Sequence, residues 1–253
     1  MTRRLAKRAR KRAKRVRTRL LGSCPDFHRS RPGLTIHLSI SALEVRLQDL
    51  FAHYGSDKGW DGHQKRPYPW HPHNYAEVYE FLFQDRRHRV RSLVECGIGT
   101  TNTDIPSNMT PTGRPGASLR AWRDYFPEAT IYGLDIDERI LFTEDRIRTA
   151  AVDQTDRERT RSFFEDSRLN GVDIIIDDGL HTFEAGVAFF EAAFPHLAED
   201  GIYVIEDVQE KTLLRFHEYF ASRAESVAFL QVHRVGHSLG DNTLIVVRRA
   251  VQA

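Results

Sequence analysis

The chain has 253 residues and a formal net charge of +2, and 40% of its residues are hydrophobic, so it can bury one sizeable core. No stretch approaches the roughly 20 apolar residues that span a bilayer, and no apolar run follows the basic N-terminus as a secretory signal would require, so we expect a cytoplasmic protein without a membrane span. Two cysteines are too few for a disulfide scaffold.

The first predicted segment is a basic N-terminal arm, residues 1–22. Residues 1–20 hold eleven Lys or Arg and no acid, whereas the rest of the chain has 26 basic and 35 acidic residues. We expect the arm to be solvated or partly frayed, and attraction to phosphate or anionic lipid is the alternative. Recognition of nucleic acid is disfavoured, since no basic patch with interleaved aromatic residues occurs elsewhere in the chain.

A helical and lid segment is predicted for residues 23–90. After a linker that contains proline and glycine, apolar spacing predicts one helix from Ser41 through Phe51 and another over 75–83. Between them, residues 55–74 lack periodicity and are rich in His, Pro, Tyr and Trp. Such a stretch is typical of an ordered functional loop, here a lid over a bound ligand, and an ordinary surface loop is the alternative.

From residue 91 to residue 253, apolar runs alternate with amphipathic segments. The predicted strands cover 92–96, 130–134, 149–152, 172–176, 202–205, 227–232 and 243–248. The predicted helices cover 117–126, 139–148, 156–164, 183–197 and 213–223. This alternation predicts an α/β fold with a doubly wound, mostly parallel, seven-stranded sheet. The last two strands are joined by a loop too short for a helical crossover, so they should form a C-terminal antiparallel hairpin.

The ends of the first three strands carry residues suited to a nucleoside. The first strand ends in Glu95-x-Gly97-x-Gly99, where glycines let the backbone approach a ligand, although the third glycine of a dinucleotide motif is missing. The loop 102–115 that follows is too long for a tight phosphate-binding turn. Asp135-x-Asp137 after the second strand can accept the hydroxyls of a ribose, and Asp153-Gln154 after the third strand suits an adenine.

Acidic residues follow two further strands, and they would meet if these strands lie side by side and parallel. One strand runs into Asp177-Asp178-Gly179-x-His181 and the next into Glu206-Asp207. Neighbouring strands lie about 4.8 Å apart, so their ends deliver several carboxylates and one histidine to one edge of the sheet. This pattern predicts a metal site. The alternatives are that the aspartates cap the following helix and that His181 is a capping residue as well.

Together these motifs resemble the class I S-adenosylmethionine-dependent methyltransferases. More narrowly, they resemble the metal-dependent O-methyltransferases of natural-product and glycan sugars, the macrolide-sugar and rhamnosyl group. The resemblance covers roughly residues 50–249 and includes Gly55-Ser56-Asp57-Lys58-Gly59 and Ser118-Leu119-x-x-Trp122. It implies a Rossmann-like methyltransferase domain over residues 91–253.

The resemblance also implies roles for individual residues. Mg²⁺ would bind to Asp178, Glu206 and Asp207, and His181 would be the general base, with Asp178 as the other catalytic residue. The cofactor S-adenosylmethionine would be bound by a larger set of residues. This set consists of Glu95, Gly97, Gly99, Asp135, Asp137, Asp153, Gln154, Asp177, Ser56 and Lys58.

The implied reaction is transfer of a methyl group from S-adenosylmethionine to a sugar hydroxyl of a small glycosylated molecule. A sugar hydroxyl has a pKa far above 7, so a metal that lowers this pKa and a base that takes the proton suit the reaction. The alternatives are a nicotinamide-dependent oxidoreductase, which would need the third glycine, a phenolic O-methyltransferase, and a nucleic-acid module that uses the basic arm. Members of the resembled family often assemble, so the resemblance also allows a homo-oligomer.

Overall fold

The computed structural model describes residues 45–59, 66–223, 225–232 and 239–249, all within one compact unit, Leu43–Ala253. The predicted basic arm and the linker after it lie outside the described residues, as does the beginning of the first predicted helix. The predicted domain boundaries after residues 22 and 90 therefore stay predictions. No helix in the described ranges is both long and apolar enough to cross a lipid bilayer.

The described helices agree with the predicted ones in number and order except near residue 140. They are α1 (Arg46–Tyr54), α2 (Tyr75–Phe83), α3 (Ala117–Tyr125), α4 (Arg157–Asp166), α5 (Phe183–Ala193) and α6 (Glu210–Ala221). Side-chain caps fix two of the helix starts. Asp156 accepts hydrogen bonds from two backbone N–H groups at the start of α4, and Thr182 accepts one at the start of α5.

The strands form one mixed sheet, which confirms the predicted α/β class. They are β1 (Ser92–Cys96), β2 (Thr130–Asp135), β3 (Thr143–Glu144), β4 (Ile147–Ala151), β5 (Val172–Asp177), β6 (Leu197–Ile205), β7 (Ser226–Gln231) and β8 (Thr243–Arg248). Their order in the sheet is β3-β4-β2-β1-β5-β6-β8-β7, with parallel pairing from β4 through β6. Strands β7 and β8 form the predicted antiparallel hairpin. The short edge strand β3 is additional to the seven that were predicted.

The prediction of a helix over 139–148 is wrong. A 3₁₀ turn, Glu138–Ile140, is followed by a hairpin in which β3 and β4 pair antiparallel. Arg146 turns the chain between them with a φ of 53°, and both the backbone N–H and the carbonyl of Phe142 bond to the Thr149 hydroxyl across the hairpin. The amphipathic pattern suggested a helix, but pairing of β4 with the strand β2 outweighs that local preference.

The strand order reverses between β1 and β5. From β1 the chain proceeds outward through β2 to β4, and from β5 it proceeds the other way to β6. Ligands of open α/β sheets bind beyond the carboxyl ends of strands at such a point. In the register of the sheet Cys96 lies opposite Asp177, which in turn lies opposite Ile205. The residues that come next, Gly97, Asp178 and Glu206, therefore leave the sheet side by side.

Apolar side chains cover both faces of the sheet. Alternate residues of β1 enter different layers: Leu93 packs with α1 to α3, and Val94 packs with α4 to α6. The first layer centres on the fully buried Trp122, whose ring lies 4.9 Å from that of Phe51 and 5.1 Å from that of Tyr79. The indole N–H donates a 2.9 Å hydrogen bond to Oε2 of Glu95, which links the core to the end of β1.

We predict that Trp122→Phe destabilises the fold by about 2–4 kcal/mol. The change leaves a cavity among buried rings and removes a hydrogen-bond donor from the buried Glu95 carboxylate. Urea unfolding followed by circular dichroism measures this loss. Phe81→Leu is the control, because Phe81 of α2 is 51% exposed and should change stability by less than about 0.5 kcal/mol. Equal effects of the two changes would contradict the central role of Trp122.

Candidate active site

The ends of β1, β5 and β6 surround the side chain of a lysine from the N-terminal segment. Nζ of Lys58 lies 2.5 Å from Oδ2 of Asp178, 2.8 Å from Oε2 of Glu206 and 3.2 Å from Oε1 of Glu95. Lys58 is 2% exposed, and Glu95 and Glu206 are similarly buried. We call Glu95, Asp178 and Glu206 the inner cluster.

The backbone around Lys58 holds this side chain in place. α1 ends at Gly55, whose φ of 84° is a left-handed C-cap and turns the chain toward the sheet. The carbonyl of Asp57 accepts a 2.7 Å bond from the backbone N–H of His73, and that of Lys58 accepts a 3.0 Å bond from Ala76. The motif from Gly55 to Lys58 is therefore fixed to the start of α2, with its lysine directed at the acids.

A second group lies on the more exposed side of Asp178, and we call Asp178, His181 and Asp207 the outer cluster. One atom of each that could bind a metal lies within 4.8 Å of the others. The Tyr75 hydroxyl donates a 2.8 Å bond to Oδ1 of Asp207, and Nε2 of His73 lies 3.5 Å from the same oxygen. His181 and Asp207 have φ values of 55° and 52°, a left-handed conformation that is costly for both and is often found at functional sites.

The three predicted metal ligands are thus divided between the two clusters. Asp178 belongs to both, Asp207 to the outer cluster and Glu206 to the inner cluster. Both oxygens of Glu206 have partners, since the Tyr79 hydroxyl donates to Oε1 at 2.5 Å and Lys58 donates to Oε2 at 2.8 Å. A metal ion here would either share Glu206 with Lys58 or be held by the outer cluster.

Burial and close charges shift the proton affinities of these groups in opposite directions. Burial would lower the pKa of Lys58, but the three acids of the inner cluster raise it well above its usual value. Burial also raises the pKa values of Asp178 and Glu206, and Lys58 opposes both shifts. Although burial acts against it, His73 and His181 lower the pKa of Asp207. A nearby cation therefore favours the charged forms of these buried acids.

The predicted nucleoside-binding residues of β1 and β2 lie together beside these clusters. Gly97 and Gly99 have φ values of 86° and 82°, and a Cβ on Gly97 would lie 2.0 Å from the carbonyl oxygen of Asp178. The Asp135 carboxylate accepts 2.9 Å bonds from the backbone N–H groups of Ile98 and Asp137. Asp137 itself binds the side chains of Thr100, Asn102 and Arg139. The two aspartates and the glycine turn are thus joined by hydrogen bonds into one unit.

Gln154 joins the end of β4 to the end of β5. Its Nε2 donates a 2.7 Å bond to Oδ1 of Asp177, and its Oε1 accepts a 2.6 Å bond from the backbone N–H of Leu180. Asp177 is buried, and its Oδ2 has no hydrogen-bond partner among the described residues. The hydrogen bonds of this carboxylate thus go to Gln154 and to the backbone N–H of Gly179 rather than to either cluster.

Two predicted cofactor residues do not join the others through side-chain contacts. Asp153 is exposed, and its Oδ1 accepts hydrogen bonds from the backbone and hydroxyl of Thr155 ahead of α4. Ser56 is buried, and its hydroxyl oxygen lies 3.4 Å from the backbone nitrogen of Lys58. Both residues stabilise turns in this structure.

The sequence did not single out Tyr79 or Asn242, which support the clusters. Tyr79 follows Tyr75 by one helical turn, so both hydroxyls reach the end of β6 from the same face of α2. This spacing is a signal that could have been noticed. Asn242 places Oδ1 3.0 Å from Nδ1 of His73 and donates a 2.9 Å bond to Asn74, contacts between distant segments that no local pattern predicts.

A parallel sheet with this strand order, with glycines and acids at its switch point and a C-terminal antiparallel hairpin, defines a Rossmann-like methyltransferase fold. Among solved structures, the MycE methyltransferase of the mycinamycin biosynthetic pathway matches with a TM-score of 0.58 and 25% identity. The match covers 81% of this chain and 54% of that chain. That structure is a complex with Mg, S-adenosylhomocysteine (SAH) and mycinamycin VI.

Curated relatives narrow the class, although no family model matches the sequence. An 8-demethyl-8-alpha-L-rhamnosyl tetracenomycin-C 2'-O-methyltransferase from Streptomyces olivaceus is 33% identical over 186 residues, which are 73% of this chain and 44% of that protein. A mycinamicin VI 2''-O-methyltransferase from Micromonospora griseorubida is 36% identical over 136 residues, 54% of this chain and 32% of that protein. The chain is thus a homologue of the natural-product sugar O-methyltransferases, and the resemblance predicted from its sequence is confirmed. It spans less than half the length of these curated relatives.

We predict that Asp177→Asn makes stability less dependent on pH. Burial raises the pKa of Asp177 to about 6, above the roughly 3.9 of an unfolded chain, so the folded state holds this proton more tightly. The protein should therefore lose stability as the pH rises from about 4 to about 6, by up to about 3 kcal/mol. Asp177→Asn lacks this group and should gain stability relative to the parent over that interval.

Urea unfolding at pH 4.5 and pH 7.5 in metal-free buffer measures the effect. Asp166→Asn, a change at an exposed position of α4, is the control and should differ from the parent by the same amount at both pH values. A difference between Asp177→Asn and the parent that does not change with pH would contradict the prediction.

Proposed function

We propose that the protein transfers the methyl group of S-adenosylmethionine to a sugar hydroxyl of a small glycosylated molecule, with help from a divalent metal. The observation that carries this proposal is the meeting of Asp178, His181 and Asp207 beside the Gly97 turn, in a homologue of sugar O-methyltransferases. A cytoplasmic location and a homo-oligomeric state are further predictions from the sequence.

The cofactor would lie over the ends of β1 and β2. The turn at Gly97 and Gly99 leaves room for a ligand next to the backbone, and Asp135 and Asp137 are close enough to that turn to meet a ribose. Gln154 is bonded to the next strand end and suits the base of the nucleoside. These contacts support S-adenosylmethionine over a dinucleotide, because no third glycine follows Gly99 to hold a pyrophosphate.

The outer cluster would hold the metal through its two carboxylates, Asp178 and Asp207, with Glu206 as the third ligand predicted from the sequence, and His181 would remain available as a base. These carboxylates supply the oxygen ligands that Mg²⁺ prefers, and the outer cluster is more exposed than the inner cluster, which leaves room for an acceptor. When bound, Mg²⁺ lowers the pKa of an acceptor hydroxyl and orients it. Tyr75 and His73 would keep Asp207 in position, and the lowered pKa of Asp207 keeps its carboxylate charged.

His181 would act as the general base. A ring nitrogen of His181 lies within 4.8 Å of carboxylate oxygens of Asp178 and Asp207, both of which stabilise the imidazolium that forms. As the hydroxyl oxygen forms a bond to the methyl carbon, the bond from that carbon to sulfur breaks. The hydroxyl proton passes to the imidazole, and the products are the methyl ether and S-adenosylhomocysteine.

Binding of S-adenosylhomocysteine tests the cofactor site. We expect binding by isothermal titration calorimetry in the micromolar range and a loss of about 10-fold or more for Asp135→Ala, because the change frees the turn after β1 and removes a ribose acceptor. Asp166→Ala, an exposed change on α4, should bind as the parent does. Absence of binding at millimolar ligand would refute the proposal.

Methyl transfer tests the catalytic assignment. With isotopically labelled S-adenosylmethionine, Mg²⁺ and a panel of glycosylated acceptors, mass spectrometry should detect a labelled methyl ether. His181→Ala should slow the reaction by about 10²- to 10⁴-fold if His181 is the base, while binding of S-adenosylhomocysteine is retained. His53→Ala, at an exposed position of α1, is the matched control. A loss of less than about 10-fold for His181→Ala would assign His181 a positioning role instead.

A further inference from the structure

The inner cluster already contains a cation, because Lys58 lies among its three acids at distances of 2.5 to 3.2 Å. The ammonium and two of its partners are shielded from water, since Lys58 and Glu206 are each 2% exposed and Glu95 is fully buried. Charges in such an environment interact far more strongly than on the surface. The positive charge of Lys58 therefore contributes strongly and permanently to the electrostatic potential at this site.

Two of the three acids that bind Lys58 are also predicted metal ligands. Asp178 directs Oδ2 to the ammonium and also belongs to the outer cluster, and Glu206 directs Oε2 to the ammonium. Any divalent cation that uses these carboxylates must share their negative charge with Lys58. Two cations that share a carboxylate also lie close enough to repel each other.

We propose that Lys58 is a tethered competitor of the divalent metal for Asp178 and Glu206, so that its charge weakens and thereby sets the metal affinity of the site. This inference rests on the proposed metal site. It assigns Lys58 a role other than the cofactor contact predicted from the sequence. In the metal-free protein, the ammonium takes the place of the metal charge and keeps the buried acids compatible with a folded state.

The anchoring of Lys58 determines whether a bound metal displaces the ammonium or coexists with it. Backbone hydrogen bonds fix the residue at both sides, since the carbonyls of Asp57 and Lys58 each accept a bond from the segment 73–76. Glu95, which is not part of the outer cluster, also holds the ammonium at 3.2 Å. The ammonium thus stays near the acids when the metal binds, and its repulsion persists in the loaded protein.

Metal binding to Lys58→Met tests the proposal. Free Mn²⁺ is counted by electron paramagnetic resonance during titration of the full-length protein, and Mg²⁺ binding is followed by calorimetry. We expect both metals to bind about 10-fold or more tightly to Lys58→Met than to the parent, because the neutral side chain of similar length no longer repels them. Thermal unfolding should show a less stable metal-free protein and a larger rise in Tm on addition of Mg²⁺.

Two variants serve as controls. Lys58→Arg keeps the charge and should bind Mn²⁺ within about threefold of the parent, since the repulsion remains. Arg161→Met removes a positive charge from an exposed position of α4 and should leave the affinity within about twofold, because exposed charges are screened by solvent and salt. Unchanged or weaker metal binding to a folded Lys58→Met protein would overturn the inference while leaving the proposed function intact. Absence of Mn²⁺ binding to the parent at millimolar concentration would overturn the metal site and the inference together.

A measurement on the unaltered protein covers the case in which Lys58→Met does not fold. The ammonium of a buried, ion-paired lysine exchanges its protons slowly enough to be observed by ¹H–¹⁵N spectroscopy, and Lys58→Arg identifies its signal. Titration with Mg²⁺ should shift this signal with the same midpoint that calorimetry gives. A signal that does not move while Mg²⁺ binds would overturn the inference.

Discussion

The register between β1, β5 and β6 is the constraint on which the rest of the site depends. Because Cys96, Asp177 and Ile205 lie opposite one another, the three chains leave the sheet in one row. The chain that follows β1 passes the chain that follows β5 so closely that a side chain on Gly97 would collide with the carbonyl oxygen of Asp178. A slip of one residue would turn the acids to the other face of the sheet, and the alternating core positions of these strands prevent it.

Burying several acids in this row requires compensating groups, and they come from a distant part of the chain. Residues 55–83 supply one ammonium, one imidazole and two tyrosine hydroxyls, each bonded or ion-paired to an acid that follows a strand. The segment that the sequence suggested as a lid therefore contributes to the charge balance of the site. Assembly of the acidic clusters and docking of the N-terminal helices onto the sheet are coupled events.

Local sequence was sufficient for the mostly parallel α/β class, for the C-terminal hairpin and for the placement of acids at strand ends, because these follow from apolar periodicity and loop lengths. It was insufficient for residues 139–148, where pairing with β2 decides the structure. Local sequence also does not predict that Glu206 is directed toward Lys58 and Tyr79, whereas the next residue, Asp207, is directed toward Tyr75. Those directions depend on partners more than 100 positions away, and no pattern within one strand encodes them.

The left-handed backbone at His181 and Asp207 has a consequence for how the protein can change over time. Each residue costs about 1–2 kcal/mol in this conformation compared with an ordinary one. Glycine would relieve that cost at both positions and at the same time remove an imidazole and a carboxylate. Selection for stability alone would therefore favour replacement of both residues. A duplicated copy of this protein that is no longer selected for activity would then become more stable and inactive.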